Sequence, residues 1–460
     1  MSSSSADRRL PRVAVVGGGI CGLALAHHLL DRADVTLFEA GPHAGGHAST
    51  VREDGFIVEA GPNGFLDRNE GPRALAEELG LAGDLIEARP AAANRFVLRG
   101  GRLHRAPDSP QSLITTGVLS PAGKLRLLFE PWAAPRPEGR EETVYEFARR
   151  RIGAEAADAL VDAAVSGISA GDSRVLSLPA AFPLMDTMER EHGGLIKAFA
   201  ARRRAGVGAP RLVAFRGGMV QLVEAIAARL GPRLRTGARV AQVAPAPAEA
   251  AARWRLTLGD GSTHDTDHVA FAAPARAVAP IVGDLDPELA RGLAATPYSN
   301  VAVVALAYRE ADLPRPLDGY GYLVTRSEGL ATLGVVWESS LFEGRAPAGQ
   351  ALLRVILGGA RDPSVAARPE ADRIALAREE LARVMGLAAT PTRTWAFTWP
   401  GAIAQYVRGH RERVAAAREA IARQAGLSLC GTSYDGVAFG AAIDAGRAHA
   451  DALLADATGA

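Results

Sequence analysis

The stretch Val13–Leu30, written VAVVGGGICGLALAHHLL, carries an apolar segment directly into three consecutive glycines and then into a helical pattern of apolar residues. Its spacing Gly17-x-Gly19-x-x-Gly22 is the one with which a dinucleotide-binding turn joins a strand to a helix. Gly17 permits the tight turn, Gly19 lets the backbone approach a pyrophosphate closely, and Gly22 lets the helix pack onto the strand. The amide N–H groups at the start of the helix then point at the phosphates.

A second strand and an acidic residue complete the nucleotide-binding pattern. Residues 12–16 and 35–38 are predicted to be strands on either side of a helix over residues 19–30, which makes a β-α-β unit. Glu39 ends the second strand, 22 residues after Gly17. A carboxylate there accepts hydrogen bonds from both ribose hydroxyls and repels a 2′-phosphate, which argues against NADP. NAD and FAD both remain compatible with this unit.

The length and composition indicate a globular protein of several domains. A chain of 460 residues is too long for one hydrophobic core, so two or three domains are expected. The net charge of +1 gives no reason to expect a nucleic-acid partner. The two cysteines, Cys21 and Cys430, are too few for a disulfide framework or a metal cluster, and no metal is predicted.

The expected location follows from the apolar patterning. The first residues, MSSSSADRRL, lack the apolar core of a signal peptide. No uninterrupted apolar run reaches the roughly 18 residues that a spanning helix needs. We therefore expect a cytoplasmic protein, with any membrane contact peripheral and on the inner face of the cell membrane.

The remaining chain alternates between helical and strand-rich segments. From residue 110 to 210, helical patterns are interrupted by glycine and proline, and two clusters consist of arginine only, at residues 149–151 and 202–204. Each cluster is interpreted as a solvated helix face, or alternatively as a contact for anionic lipid. Strands are predicted again over residues 233–273, and a sheet of mostly buried strands over residues 298–309, 320–325, 331–337 and 351–357.

The residues after Glu39 separate the two candidate cofactors. The pair Gly45-Gly46, six residues beyond Glu39, resembles the extended FAD fingerprint of glutathione-reductase-like flavoproteins. His43 and His47 occupy the places where amine oxidases usually carry arginines around such a pair. The resemblance implies that FAD is the cofactor.

Motifs along most of the chain resemble one family of flavoproteins. In chain order they are FIVEAGPN (56–63), SGISAGDSRVLSLPAAFP (166–183), FRGGMVQLVEAI (215–226), GYGYLVTRSEG (319–329), LGVVWESSLFEGRAP (333–347), QYVRGH (405–410) and LCGTSYDGVAFGAAIDAGRAHA (429–450). By these motifs the sequence resembles the protoporphyrinogen oxidase and coproporphyrinogen III oxidase family, FAD-dependent porphyrinogen oxidases of the flavin amine oxidase superfamily. Departures are small: Ala404 stands where the family commonly has proline, and Ala441 and Ala442 replace more polar residues.

The resemblance implies an α/β fold with a Rossmann-type, p-hydroxybenzoate-hydroxylase-like FAD-binding domain, a mixed-sheet substrate domain and a helical insertion that often associates with membranes. The implied segments are 1–90, 211–280 and 395–460 for the FAD-binding domain, 91–110 and 281–394 for the substrate domain, and 111–210 for the insertion. The implied reaction oxidises a porphyrinogen to a porphyrin in heme biosynthesis, with six electrons passed to oxygen to give hydrogen peroxide. The implied partners are the porphyrinogen and oxygen, for a monomer or homodimer.

The resemblance also implies which residues contact FAD and substrate. Positions that match the family's FAD contacts are Gly17, Gly19, Gly22, Glu39, Gly45, Gly46, Gly61, Val240, Gly431, Gly436, Val437 and Ala438. The segment 436–438 would begin the last helix with free N–H groups toward the flavin. Arg95 matches a propionate-pairing arginine, and Gly321, Leu323 and Ile356 match residues that pack on the macrocycle. No side chain is expected to act as a catalytic group, because hydride goes to flavin N5.

Several alternatives stay open at this point. Protoporphyrinogen IX is the first candidate substrate and coproporphyrinogen III the second, since Arg95 suits both. A flavin amine oxidase would commonly place a lysine near N5, but the only lysines are Lys124 and Lys197. A carotenoid desaturase is disfavoured by LFEGRAP, and a non-catalytic, escort-type binding protein of the same fold would be purified without flavin colour. His410 is interpreted as a structural histidine.

Overall fold

The computed structural model describes residues 10–136, 139–206, 208 and 210–458. Its strands are β1 (Arg12–Val16), β2 (Asp34–Phe38), β3 (Thr50–Glu53), β4 (Phe56–Glu59), β5 (Phe65–Leu66), β6 (Leu85–Glu87), β7 (Arg95–Arg99), β8 (Arg102–Arg105), β9 (Leu212–Phe215), β10 (Leu234–Arg235), β11 (Val240–Pro245), β12 (Trp254–Leu258), β13 (Thr263–Thr266), β14 (His268–Phe271), β15 (Tyr298–Arg309), β16 (Gly321–Val324), β17 (Thr332–Val336), β18 (Gln350–Gly358), β19 (Arg393–Ala404) and β20 (Leu427–Leu429).

The α-helices lie in the connections between these strands, and the last helix follows β20. They are α1 (Ile20–Leu29), α2 (Gly71–Glu78), α3 (Pro110–Thr115), α4 (Pro121–Leu128), α5 (Val144–Ile152), α6 (Ala154–Ala156), α7 (Ala163–Ser169), α8 (Leu178–Ala181), α9 (Pro183–His192), α10 (Leu195–Arg204), α11 (Val220–Leu230), α12 (Ala275–Ile281), α13 (Pro287–Ala294), α14 (Glu338–Leu341), α15 (Glu370–Met385), α16 (His410–Ala422) and α17 (Phe439–Thr458). A π-helix over Ala157–Asp162 lies between α6 and α7.

A five-stranded parallel sheet, in the order β10-β2-β1-β14-β20, forms the nucleotide-binding part of the fold. The predicted β-α-β unit is confirmed: β1 and β2 pair in parallel and α1 connects them. Both faces of β1 are covered, and Val13–Val16 are buried, which explains why the strand is an uninterrupted apolar run. The core on one face joins α1 to α11 and α17, through residues such as Leu25, Ile226 and Ile443.

A seven-stranded mixed sheet, in the order β19-β15-β18-β17-β16-β7-β8, forms the second part of the fold. Adjacent strands in this sheet are antiparallel, except for β16 and β7, which run parallel to each other. One face packs on α15, and the other face meets segments of the nucleotide-binding part. The predicted strands β15 to β18 are confirmed, and β19 crosses the domain boundary predicted between residues 394 and 395.

Helices dominate the chain between β8 and β9, as predicted, but one of the two arginine clusters was interpreted wrongly. Arg150 pairs with Glu142 at 2.6 Å and Glu189 at 2.7 Å, and Arg151 is buried against Glu130. These two arginines therefore form an internal ion-pair network and are neither a solvated face nor a lipid contact. The acids lie on a turn at Glu130, in the loop before α5 and on α9, so the sequence of the cluster itself did not reveal the pairing. Within the described ranges, no helix combines the length and apolarity needed to cross a bilayer.

Candidate cofactor and substrate sites

The glycine turn between β1 and α1 has the geometry that its spacing predicts. A methyl group added at Gly22 would lie 2.0 Å from the Gly17 carbonyl oxygen, so helix and turn are in direct backbone contact. Gly17 has a φ of +114°, which favours glycine. A methyl group added at Gly19, directly before α1, would meet nothing within 4 Å. The turn is thus closed everywhere except at Gly19, where the helix N-terminus opens onto free space.

The second glycine pair faces this open position. The Gly45 N–H donates to the Gly18 carbonyl at 2.7 Å, and Gly45 and Gly46 both have positive φ values. A methyl group added at Gly46 would lie 3.3 Å from the Gly19 Cα atom. Two glycine turns therefore come together at the N-terminus of α1, which is the arrangement an anionic diphosphate requires.

Glu39 lies at the predicted position at the end of β2. Its Oε2 accepts a hydrogen bond from the Gly18 N–H at 2.7 Å, and its Oε1 accepts one from the Gly41 N–H at 2.6 Å. A cavity of about 400 Å³ begins at the next residue and is lined by Ala40, Gly237, Ala238, Arg239, Leu258, Gly259 and Asp260. Val240 follows directly as a buried residue at the start of β11. The carboxylate and the cavity fit a ribose and an adenine ring.

Gly61 belongs to the same cradle. A methyl group added there would lie 1.9 Å from the His47 carbonyl oxygen, so the segment after β4 packs against the Gly45–His47 turn. The indole N–H of Trp399, on β19, donates to the Ala60 carbonyl at 2.7 Å. The segment around Gly61 is consequently held between the cradle and the seven-stranded sheet.

The turn before the last helix departs in part from the prediction. Gly431 has a φ of +109° and lies next to Cys21, at the start of α1. Residues 436–438 do not begin the helix, because α17 starts at Phe439. The Gly436 N–H is not free either, since it donates to the Tyr406 hydroxyl at 2.8 Å. The prediction of free N–H groups was wrong for Gly436, whose partner comes from a distant segment.

These observations together fit FAD as the cofactor. The space in front of Gly19 suits a pyrophosphate, the Glu39 carboxylate suits the ribose, and the cavity beside β11 suits the adenine. The segment around Gly61 and the turn around Gly431 both lie beside this cradle, where the flavin ring would follow.

The four predicted substrate residues lie on one face of the seven-stranded sheet. Arg95 is directly opposite Gly321 in the parallel pair of β7 and β16. Leu323 is opposite Gly334, which is in turn opposite Ile356. Because residues in register, and residues two apart along a strand, share a face, all four side-chain positions point the same way. The same face meets the cofactor cradle, as the Trp399–Ala60 contact shows.

The ends of this face differ in polarity. Arg95 is exposed, and its guanidinium lies over the Tyr320 ring, 5.4 Å from the centroid. Leu323 is half-buried and touches α7, because a methyl group added at Gly167 would lie 2.3 Å from Leu323 Cδ2. Ile356 is also half-buried and packs against the core around α1. An apolar strip with a cation at one end therefore runs beside the cradle.

Sequence reasoning missed a polar cluster on the same face of the sheet as this strip. Arg354 on β18 forms a buried ion pair with Glu338, with 2.8 Å between Nε and Oε1. The Arg354 guanidinium also donates to the Gly61 carbonyl. A signal for it was present in residues 351–358, ALLRVILG, where a single arginine interrupts a strand that is otherwise apolar. A charge in a buried strand requires a partner.

His410 occupies a structural position, as interpreted from the sequence. Its ring stacks on Tyr406 at 3.9 Å, and both ring nitrogens are buried without a hydrogen-bond partner. Burial, and secondarily the charge of Arg413, lowers the pKa of His410 to about 4, so the ring is neutral at pH 7. Tyr406 in turn donates its hydroxyl to the Thr432 carbonyl at 2.7 Å, which fixes the turn beside the cradle.

The chain is similar to known proteins over most of its length. Residues 20–454 match the family described as flavin containing amine oxidoreductase. The chain is 34% identical to the protoporphyrinogen oxidase of Homo sapiens over 483 residues, covering 96% of this chain and 98% of that protein. It is 31% identical to the coproporphyrinogen III oxidase of Bacillus subtilis (strain 168) over 467 residues, covering 96% and 97%.

Solved structures show the same fold. A chain from Exiguobacterium sp. 255-15 has a TM-score of 0.84 at 23% identity, with 99% of both chains covered. The cyclohexylamine oxidase from Brevibacterium oxydans IH-35A has a TM-score of 0.72 at 19% identity, with 98% of this chain and 100% of that chain covered. The predicted α/β class, with its nucleotide-binding part and mixed sheet, agrees with these neighbours.

Proposed function

The chain belongs to the flavin containing amine oxidoreductase family, and from that premise we propose that it is the FAD-dependent oxidase that converts a porphyrinogen to a porphyrin in heme biosynthesis. The relatives named above supply the substrate class. The single observation that carries the proposal is the placement of Arg95, Gly321, Leu323 and Ile356 on the sheet face that meets the cofactor cradle. That strip offers a flat, apolar macrocycle a surface and offers a propionate a planar cation.

The chemistry requires little from the side chains. The glycine turns at Gly19 and Gly46, together with Glu39, would hold FAD, which would supply the redox chemistry: hydride acceptance from a methylene bridge and electron transfer to oxygen, with hydrogen peroxide as the product. Six electrons leave one porphyrinogen, so three oxygen molecules are reduced for each porphyrin formed. The pyrrole nitrogens push electrons toward the bridge, and no strong protein base is required. The strip between Arg95 and Ile356 would orient the macrocycle and exclude water from it.

Protoporphyrinogen IX is proposed as the substrate, with coproporphyrinogen III as the alternative. The two differ in whether two positions carry vinyl groups or further propionates, which need further cations. Arg95 is the exposed cation of the strip, whereas Arg354, in the same row, is already neutralised by Glu338. Steady-state oxidation of each porphyrinogen by the purified protein, followed by porphyrin fluorescence, decides between them. If neither is oxidised by flavin-loaded protein, the proposed function is wrong.

Other functions of this fold have less support. An amine oxidase of the kind that uses a lysine near N5 lacks that residue, because Lys124 and Lys197 both lie in the helical region and not on the sheet. The substrate of a carotenoid desaturase is apolar and has no charged group that the exposed Arg95 could bind. A purified protein without the flavin absorption bands would point to an escort-type binding protein instead.

Arg95→Ala is expected to weaken substrate binding without displacing the flavin. Loss of a partly exposed, charge-assisted pair raises KM roughly five- to hundredfold. We expect kcat to change less, because the contact is the same in ground and transition states. Arg95→Lys should recover only part of the affinity, since an ammonium lacks the planar fork.

The control for this experiment is Arg102→Ala, which removes an exposed arginine from the neighbouring strand β8. It should behave like the wild type. If kcat of Arg95→Ala falls by a larger factor than KM rises, the arginine sets the angle of the macrocycle to the flavin. Wild-type kinetics for Arg95→Ala would remove the propionate assignment.

We propose, in addition, a peripheral contact with anionic membranes through one surface of the helical region. The apolar patch of this surface consists of Leu125, Leu128, Phe129, Trp132 and Phe199, all exposed, with Trp132 at 78%. Its parts are adjacent, because Glu130 accepts hydrogen bonds from the first N–H groups of α10, the helix that carries Phe199. The exposed Arg203 and Arg204 end the same helix. Apolar and cationic side chains on one surface favour an anionic lipid headgroup layer.

Sedimentation with phosphatidylserine vesicles tests this contact. Arg203→Gln/Arg204→Gln removes about 1 kcal/mol for each arginine, so vesicle affinity should fall roughly tenfold or more. Trp132→Ser should weaken binding independently of salt. Arg229→Gln/Arg233→Gln, on an exposed surface outside the helical region, is the matched control. Equal sedimentation of all variants would leave the patch as an ordinary solvated surface.

A further inference from the structure

The buried ion pair between Arg354 and Glu338 lies where the substrate sheet meets the cofactor cradle. Arg354 is 4% exposed and Glu338 is 1% exposed. Arg354 belongs to the row of residues that also contains Gly321 and Arg95, so it extends from the substrate face of the sheet. Two buried charges are costly to desolvate, so a gain in stability alone does not explain this pair.

One contact of Arg354 leaves the sheet and reaches the cradle. Its guanidinium donates to the Gly61 carbonyl, as well as pairing with Glu338. Gly61 packs so tightly on the Gly45–His47 turn that no side chain fits between them. Arg354 therefore fixes, through one carbonyl, the backbone that packs on the second glycine turn. A guanidinium can hold a carboxylate and a carbonyl at once, because its donors point in several fixed directions.

The same pair also borders the substrate side. Burial raises the pKa of Tyr320, and Glu338 adds to that rise, while Asn63, Arg354 and Arg95 act against it. The charges of both members of the pair therefore act on Tyr320, whose ring lies under the guanidinium of Arg95, the arginine that ends the substrate strip. Both Glu338 oxygens lack an aligned hydrogen-bond donor, so the electrostatic attraction of Arg354 is their main compensation.

We propose that Arg354 is a positioning residue, which holds the Gly61 segment and the Gly45–His47 turn in the geometry that binds FAD, with Glu338 as its counter-charge. It acts through the backbone of the cradle and not on the substrate. The proposal rests on FAD binding and not on the identity of the porphyrinogen, so the two can fail separately.

Arg354→Lys is the primary test, because it keeps the buried charge and loses the fork that serves two acceptors. FAD affinity, measured by titrating apoprotein and following flavin fluorescence, is expected to fall roughly tenfold, the equivalent of one hydrogen bond from a charged group. The visible absorption bands of the bound flavin should shift, since the cradle relaxes. With porphyrinogen under saturating FAD, kcat should fall more than KM rises.

Arg151→Lys is the matched control, because Arg151 is equally buried and pairs with Glu130 inside the helical region, outside the cradle. It should lower the thermal midpoint without changing FAD affinity or the flavin spectrum. An equal loss of FAD affinity in Arg151→Lys would mean that general destabilisation is responsible, and would overturn the proposal.

The double variant Arg354→Met/Glu338→Leu provides a second measurement should Arg354→Lys fold poorly. It removes both charges together, and replacing a buried pair by apolar residues is often neutral for stability. We expect folded protein with FAD affinity lowered by tenfold or more, because the Gly61 carbonyl has lost its donor. Wild-type FAD affinity and an unchanged flavin spectrum in either Arg354 variant would show that the arginine does not position the cradle.

Discussion

Gly19→Ala is expected to remove FAD from the purified protein while leaving the apoprotein as stable as the wild type. The backbone at Gly19 is extended, with φ −68° and ψ 172°, which alanine adopts without strain. Nothing lies within 4 Å of the added methyl group, so the apoprotein accommodates it. The methyl group instead fills the space that the pyrophosphate needs. Overpacking of a rigid site costs up to about 3 kcal/mol, which corresponds to roughly 100-fold weaker FAD binding.

Two further glycines make this experiment specific. Gly22→Ala places a methyl group 2.0 Å from the Gly17 carbonyl oxygen, so it should lower both FAD affinity and the stability of the apoprotein. Gly292→Ala, within α13, meets nothing within 4 Å, so it should leave FAD affinity unchanged and raise the stability by up to about 1 kcal/mol, because alanine favours a helix over glycine. Fluorescence titration gives the FAD affinity, and thermal unfolding without FAD gives the stability. Wild-type affinity in Gly19→Ala would show that this turn does not contact the pyrophosphate.

The cofactor cradle was predictable because its constraints are local. Gly17, Gly19 and Gly22 lie within six residues of one strand–turn–helix unit, where Gly17 has a positive φ and Gly22 lies directly against the Gly17 carbonyl oxygen. Glu39 can be predicted from the same unit, because it lies at the end of β2, the strand that follows α1. A short segment whose backbone conformation is fixed by steric contacts can be recognised from its own sequence.

The substrate strip was reachable only through family resemblance. Arg95 and Gly321 are 226 positions apart (321 − 95) and become neighbours through the parallel pairing of β7 with β16. No periodicity in either segment reveals that register, because strand partners are chosen by the packing of the whole sheet. The alternation along each strand predicts which side chains share a face, but not which strands lie side by side.

The errors have the same origin. Residues 149–151 look like a solvated basic cluster, yet Glu130, Glu142 and Glu189 converge on two of these arginines from other elements. The Gly436 N–H was expected to be free, yet Tyr406 supplies its partner from 30 residues away. In each case the local sequence shows the polar group, and only the tertiary fold shows the group that compensates it.

Acidification from pH 7 to pH 4.5 is expected to destabilise the wild-type protein by about 2–3 kcal/mol more than His410→Phe. In the folded protein, burial holds the pKa of His410 at about 4, with Arg413 adding to the shift and Glu141 opposing it. In the unfolded chain the imidazole has its ordinary pKa of about 6.5. Between these two values the unfolded chain binds a proton that the folded protein does not. The free energy of unfolding therefore falls as the pH falls through this window, and is unaffected by His410 above it.

His410→Phe isolates this contribution because phenylalanine keeps a ring stacked on Tyr406 and does not titrate. Urea unfolding at both pH values gives two free energies for each protein, and carboxylates common to both cancel in the comparison. His192→Gln, which replaces an exposed histidine on α9, serves as the control and should lose as much stability as the wild type. An identical pH dependence in His410→Phe would mean that the charged imidazole of the wild type finds a hydrogen-bond acceptor in the folded protein. His410 would then be a titrating group, and its buried nitrogens without hydrogen-bond partners would need another explanation.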